Sequence, residues 1–307
     1  MCRSLGHMTE PLPGGFTSAE LTALTTQART ELDLDGHEQQ LLRGHTNAVV
    51  RIGPVVLKIA RKGTTAPAVE RTVALVRWLQ EQGFPTVPLH SHHRQPLHLY
   101  GGALATVWTY LPQPAEPLAA ADLAAPLATL HQLPTPPVPV RRLDNLRAIR
   151  RSLSATRTLD PDDMAFLRDR ADRLERDLEQ VAYVLAPSLV QGDPQHRNAL
   201  HDSAGGRTVL CDWDTVAHGR PEWDLVTVEI HCRRFGHGPQ HWVDFTAAYG
   251  FDVTAWSGYQ TLRDIRELRM ITTNARKARH TPGSLCEVQR RIKSLREDED
   301  GLLWNIL

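Results

Sequence analysis

The sequence predicts an α+β fold in two lobes, an antiparallel sheet with helices first and a larger, mostly helical part after it. Three observations carry this prediction. Between Glu38 and Ala60, three short apolar runs are separated by Gly44-His45-Thr46-Asn47 and by Gly53-Pro54, the punctuation of antiparallel strands joined by tight turns. After Leu111 the composition shifts to a Pro/Ala-rich run, PQPAEPLAAADLAAP. Beyond that run apolar residues recur at spacings of three and four, most clearly from Met164 to Val181. Residues 1–15 are expected as a disordered leader, 16–111 as the first lobe, and 112–307 as the helical second lobe.

The 307 residues suffice for a substantial core, and 41% hydrophobic with 23% charged residues is an ordinary globular balance. The formal net charge is +0, so nothing global points to nucleic acid or to an anionic membrane surface. No apolar run reaches the ~20 residues of a membrane span. The first fifteen residues lack the apolar core of a signal peptide, and a cytoplasmic location is expected. Four cysteines stand far apart and read as reduced structural thiols. His90, His92 and His93 lie between Pro88 and Pro96 and read as a solvated loop, since a metal site needs convergent ligands. Monomer and homodimer are both open.

In order, Thr17 caps a helix to about Glu31, with Glu20 completing a capping box. The three strands come next, and the turn at Gly44 to Asn47 exposes backbone that could close over phosphates. Lys58 lies inside the apolar run Val-Val-Leu-Lys-Ile-Ala, where an unpaired ammonium is costly. A helix from Pro67 to about Gln82 carries the stripe Val69, Val73, Val76, Leu79, with Glu70 beside it. A strand lysine paired with a helix glutamate is the arrangement that sets an ammonium on nucleotide phosphates. Two strands between Pro88 and Leu111 end the lobe. Their exposed edge from Val107 to Leu111 suits a hinge against an adenine, with Trp108 and Tyr110 nearby.

The second lobe opens with a helix from Ala120 to Gln132, whose His131 reads as packed or capping. A helix from about Asp144 and a well-capped one starting at Asp160-Pro161 come after it. Further helices begin near Glu222, Pro239, Leu262 and Ser284. The tail residues Trp304, Ile306 and Leu307 are expected to dock.

Between these helices lies the stretch that carries chemistry. Asp193 sits in a turn made by Gly192 and Pro194, Asn198 stands five residues later, and Asp212 ends the run Val209-Leu210-Cys211. A Gly205-Gly206 hairpin folds Asp212 back towards Asn198. A carboxylate placed to orient a hydroxyl, plus an amide and a second carboxylate for Mg²⁺, is the equipment of phosphoryl transfer.

On these residues the sequence resembles the aminoglycoside phosphotransferase family, small-molecule kinases of the protein-kinase-like fold. The loop Gln191-Gly192-Asp193-Pro194-Gln195-His196-Arg197-Asn198 matches H-G-D-x-x-x-x-N with glutamine for histidine. Asp212-Trp213-Asp214 matches the metal segment, and Gly219 to Leu225 matches G-x-P-x-x-D-L. The segment around Leu130-His131 also fits. The resemblance implies Asp193 as base, Asn198 and Asp212 as metal ligands, and Lys58 and Glu70 with Gly44, Asn47, Trp108 and Tyr110 around ATP, GTP being an alternative donor. It implies supporting roles for Gln191, Asp214 and Asp224, with Gln191 buttressing the metal-binding strand. The acceptor it implies is a hydroxyl of a small molecule, an antibiotic or related natural product. Alternatives are a peptide Ser/Thr, a primary metabolite such as choline, homoserine or a sugar, or an inactive nucleotide-binding relative. An acidic pocket for a cationic acceptor would draw on Asp160, Asp162, Asp163, Glu222 and Glu297 to Asp300. Against it stands the basic run from Arg263 to His280.

Overall fold

The computed structural model describes residues 13–44, 46–90, 94–278 and 282–307. Strands β1 (Gln39–Arg43), β2 (Ala48–Ile52), β3 (Val55–Ile59), β4 (Leu97–His98) and β5 (Leu104–Thr109) form one antiparallel sheet in the order β1-β2-β3-β5-β4. Strict alternation decides its two faces. Val50, Ile52, Val55, Leu57 and Ile59 point to a buried side, packed with Phe16, Leu24 and Ala28 of helix α1 (Ser18–Glu31) and its lead-in. Val49, Arg51, Val56 and Lys58 point the other way and stay half-buried. The register puts Lys58 between Val49 and Thr106. The α1 capping box forms as expected, Thr17 N–H donating to Glu20 Oε2 at 2.8 Å and Glu20 N–H to Thr17 Oγ1 at 3.2 Å. Of the expected leader, residues 1–12 lie outside the described residues and Pro13–Gly15 form a 3-10 turn. His45 also lies outside them, as do His92 and His93 of the expected solvated loop.

Helix α2 (Ala66–Glu81) turns Val73, Val76 and Leu79 into a core that continues through Trp108 to Leu210 and Trp213. This shared core ties the sheet to the helical part of the chain. Trp213 Nε1 donates to Thr86 Oγ1 at 2.9 Å, and Val87 N–H donates to the Leu210 carbonyl at 3.0 Å, so the joint is hydrogen-bonded as well as apolar.

The second part holds α3 (Ala124–Gln132), α4 (Asn145–Ala155), α5 (Pro161–Glu179), α6 (Glu222–Arg234), α7 (Pro239–Tyr249), α8 (Tyr259–Lys277) and α9 (Leu285–Arg296). Asp144 and Asp160 cap α4 and α5 as the sequence indicates. Helices α4, α5, α8 and α9 close around Ile149, Leu167, Leu268 and Ile292. Trp304 docks there between the guanidinium groups of Arg234 and Arg291, each 4.7 Å from its ring centroid. Ile306 and Leu307 stay exposed, against expectation, because the apolar site is filled once Trp304 is in place. Two short pairs frame the loop of interest: β6 (Ser188–Val190) with β9 (Ala217–Gly219), and the hairpin β7 (Ala199–Asp202) with β8 (Arg207–Leu210). The three-residue β6 and β9 are too short for alternation to reveal them. Cys211 and Cys232 are free thiols, but Cys286 is disulfide-bonded, which corrects the expectation of reduced thiols throughout. No helix among the described residues is long and apolar enough to cross a membrane.

Candidate active site

The loop from Gln191 to Asn198 runs from β6 to β7, and its shape is held from beneath. Asp224, fully buried at the start of α6, accepts the Gln191 N–H at 2.7 Å and the Gly192 N–H at 2.9 Å. It also meets His131 Nε2 at 3.1 Å, whose Nδ1 meets Tyr249 Oη at 2.8 Å. His131 is thus the packed histidine the sequence indicated, with a partner on each ring nitrogen. Trp223 Nε1 donates to the Gly192 carbonyl at 3.0 Å. Gly192 has φ +86°, and a Cβ there would stand 2.5 Å from the Thr215 carbonyl oxygen, so only glycine fits.

Gln191 is fully buried and uses both ends of its amide. Nε2 donates to the carbonyls of Cys211 and Asp212, at 3.1 Å each, and Oε1 accepts the Asp193 N–H at 2.7 Å. One side chain therefore fixes the Asp193 turn against the end of β8. A neutral amide carries both a donor and an acceptor, so it can bridge the two segments in one protonation state.

Asn198 closes on Asp193, and the strand end that carries Asp212 is tied to the same loop. Asn198 Nδ2 donates to the Asp193 carbonyl at 2.9 Å and approaches its Oδ2 at 3.5 Å. The Cys211 N–H donates to the Asn198 carbonyl at 2.9 Å, clamping the loop to the residue before Asp212. Asp212 adopts φ 59°, ψ 68°, the left-handed region uncommon for a side-chain-bearing residue. That turn directs its carboxylate to Lys58, Oδ1 lying 2.8 Å from Nζ. Lys58 also reaches Asp214 Oδ2 at 3.0 Å. Burial works against the Lys58 charge, but Asp214 and Asp212 outweigh it and hold its pKa above the ordinary lysine value. Burial likewise opposes ionised Asp212, yet Lys58 and Arg43 keep its pKa below the usual carboxylate value. Cys211, buried and next to that carboxylate, is pushed up to about 12 and is no nucleophile.

Asn47 joins the group, donating from Nδ2 to Asp214 Oδ2 at 2.9 Å. A cavity of 430 Å³ is lined by Asn47, Lys58, Trp108 and Asp214, and by Thr72 and Arg141. Gly44 and Tyr110 do not line it, and Tyr110 lies under Arg51, whose guanidinium carbon is 3.9 Å from the ring centroid.

The expected Lys58–Glu70 pair does not form. Glu70 is exposed on α2, while Thr72 and Ala68 face the cavity from that helix. The apolar stripe sets the helix rotation, and Glu70 falls outside the face turned to Lys58; Asp212 and Asp214 take the ammonium instead. Replacing Glu70 with Ala should leave kcat/KM for the nucleotide within about twofold, the worth of an exposed charge, whereas Lys58→Met should collapse it. Steady-state kinetics at varied nucleotide checks this.

Sequence reasoning missed three contacts. Arg266 of α8 forms an ion pair with Asp193 Oδ1. Gln195 Nε2 donates to Asp193 Oδ2 at 2.9 Å. Arg43 of β1 reaches across to the Arg197 carbonyl at 2.6 Å. Gln195 stood within the loop motif, but nothing local in the basic run of α8 marked Arg266 as the residue that meets Asp193.

The profile of the phosphotransferase enzyme family matches residues 37–264. The chain belongs to that family, and is a phosphotransferase that takes an alcohol group as acceptor. Among solved structures it is similar to choline kinase LicA from Streptococcus pneumoniae, with TM-score 0.64 and 15% identity over 88% of this chain and 98% of that one. A choline/ethanolamine kinase family protein from Mesorhizobium loti has TM-score 0.59 and 19% identity, covering 89% and 99%. The GDP and kanamycin complex of APH(2")-IIIa has TM-score 0.58 and 18% identity, covering 90% and 97%. At these identities the likeness is one of fold. No curated protein matches the sequence closely enough to count.

Proposed function

We propose that the chain transfers the γ-phosphoryl group of ATP to a hydroxyl of a small molecule, with Asp193 as the base. The observation that supports this is Asn198 held against Asp193, with the residue before Asp212 tied by its N–H to the Asn198 carbonyl and Lys58 brought to Asp212 from the sheet. Lys58 is read as the phosphate clamp, shared with Asp212 and Asp214, and Asn47 and Trp108 as nucleotide neighbours on the same cavity. Residues 16–111 act as the nucleotide-holding lobe and 112–307 as the lobe that presents the acceptor.

In this reading the acceptor oxygen attacks the γ-phosphorus as the bond to the β,γ-bridging oxygen breaks. The hydroxyl proton passes to Asp193. Arg266 occupies one Asp193 oxygen and Gln195 the other, which orients the carboxylate before the substrate arrives. The donor set fits Mg²⁺: Asn198 spends its Nδ2 on the Asp193 carbonyl, so its Oδ1 is turned to other use, and Asp212 adds carboxylate oxygen, both hard ligands. Bound there with the nucleotide, Mg²⁺ would neutralise phosphate charge.

The acceptor we infer carries negative charge. Arg266, Arg269 and Lys277 of α8 stand on the Asp193 side. Arg269 has the neutral Asn145 Oδ1 as its hydrogen-bond partner, and Lys277 has Thr46 Oγ1 at 3.2 Å. Burial, then the charges of Arg266 and Arg141, lower Arg269 to about 10 against the opposing pull of Asp193. Four of the acidic residues that could have received a cationic acceptor are spent elsewhere. Asp160 caps α5, Asp163 pairs with Arg296, Asp300 pairs with Arg263, and buried Glu222 accepts the Val184 and Leu185 N–H groups. A polycationic antibiotic therefore fits this wall poorly, and a hydroxy compound bearing a carboxylate or phosphate fits it well. Arg269→Gln should raise KM for such an acceptor by about tenfold or more, the worth of a hydrogen bond between charged groups, with KM for ATP unchanged. A screen of anionic, neutral and cationic alcohols with ATP tests the class, and turnover confined to the cationic set would overturn it.

A further inference from the structure

Next to the catalytic loop lies a cluster that phosphoryl transfer does not use. His196 from the 3-10 turn His196–Asn198, His237 from the α6–α7 connection and His241 from α7 each offer a ring nitrogen, and these nitrogens all lie within 4.8 Å of one another. The His196 and His237 rings are stacked, centroids 3.9 Å apart. Both ring nitrogens of His196 are buried, with no hydrogen-bond partner among the described residues. Buried polar nitrogens left unsatisfied are costly, so a side chain placed this way calls for a ligand. His237 sits between Gly236 (φ +76°) and Gly238 (φ +91°), a backbone free to swing its ring off the stack. His241 Nδ1 receives a long contact from the Ala120 N–H at 3.4 Å.

We propose that His196, His237 and His241 bind one late first-row divalent cation, of which Zn²⁺ is the working probe. Three imidazoles around one ion at about 2.0–2.1 Å bring their nitrogens a little closer than they stand here, a shift that rotation of His237 and His241 supplies. The set holds no carboxylate, which disfavours Mg²⁺ and Ca²⁺ and favours Zn²⁺, Ni²⁺ or Cu²⁺. A fourth position stays open, to water or an anion. Because His196 lies three residues after Asp193 and two before Asn198, the ion would tie α7 to the loop that carries the chemistry. The site is separate from the oxygen donors at Asn198 and Asp212, and the proposal stands whatever the acceptor is.

The experiment uses the untagged full chain, stripped with chelator and titrated calorimetrically with Zn²⁺ in excess Mg²⁺. One equivalent should bind, and Co²⁺ in its place should give the visible absorption of an imidazole-ligated ion. His237→Ala and His241→Ala should each weaken Zn²⁺ by about tenfold or more, since losing a ligand costs no less than losing its outer-shell partner. The Co²⁺ spectrum of the unaltered chain gives a readout that does not depend on a variant folding. Failure of the unaltered chain to take up Zn²⁺, or affinity in both variants unchanged from that of the unaltered chain, would overturn the proposal.

Discussion

Asp193→Asn should lower kcat by about 10²–10⁴-fold, the range a positioned base contributes, while the affinity for ATP changes little. The substitution is close to isosteric. Its remaining oxygen can still accept from Arg266, and the loop stays pinned by Gln191, Asp224 and Trp223 through backbone groups that the change leaves alone. The loss would thus be one of chemistry, with fold and nucleotide binding retained. Rapid-quench kinetics paired with nucleotide titration separates the two. A variant that keeps its kcat would move the base to another group.

Asp224→Ala should act the other way, through stability first. Its carboxylate is completely buried and satisfies two backbone N–H groups and His131. Removing it strands all three, and breaking such a buried, charge-assisted set costs about 3–5 kcal/mol, a fall in Tm on the order of 10 °C for a chain of this size. Thermal unfolding measures it. Activity should fall as well, because the Gly192–Asp193 turn loses its anchor. Tyr249→Phe, which removes only the far end of the same chain of contacts, should have a much smaller effect on both.

The contrast between these two residues shows what a sequence can carry. The Asp193 loop, the hairpin that returns Asp212, and the Thr17 and Asp160 caps are local patterns, written within a few residues. The alternation of Val50, Ile52, Val55 and Leu57 decided which face of the sheet is buried, and so left Lys58 on the face turned to Asp212. What escaped was decided by the rotation and crossing of whole elements. Glu70 is one position off the stripe that seats α2, and that offset turns it to solvent. Arg266 meets Asp193 across 73 residues of chain, and the three histidines come together from a loop, a connection and a helix. Neither contact leaves a mark in local spacing. The acidic residues of the second lobe were visible as charges, but their use as caps and ion-pair partners became clear only with their neighbours in place. Gln191 is the intermediate case. Its role as a buttress came from the family motif, and the geometry adds the reason it suffices, an amide that donates to two carbonyls and accepts one N–H at once.

The most direct test of the account is transfer of label from γ-labelled ATP to a small-molecule acceptor, run beside Asp193→Asn. Acceptor-dependent labelling should rise with hydroxy compounds bearing a carboxylate or phosphate and drop to background in the variant. Labelling that proceeds undiminished in Asp193→Asn, or no labelling with any class of alcohol while ATP is bound, would contradict it.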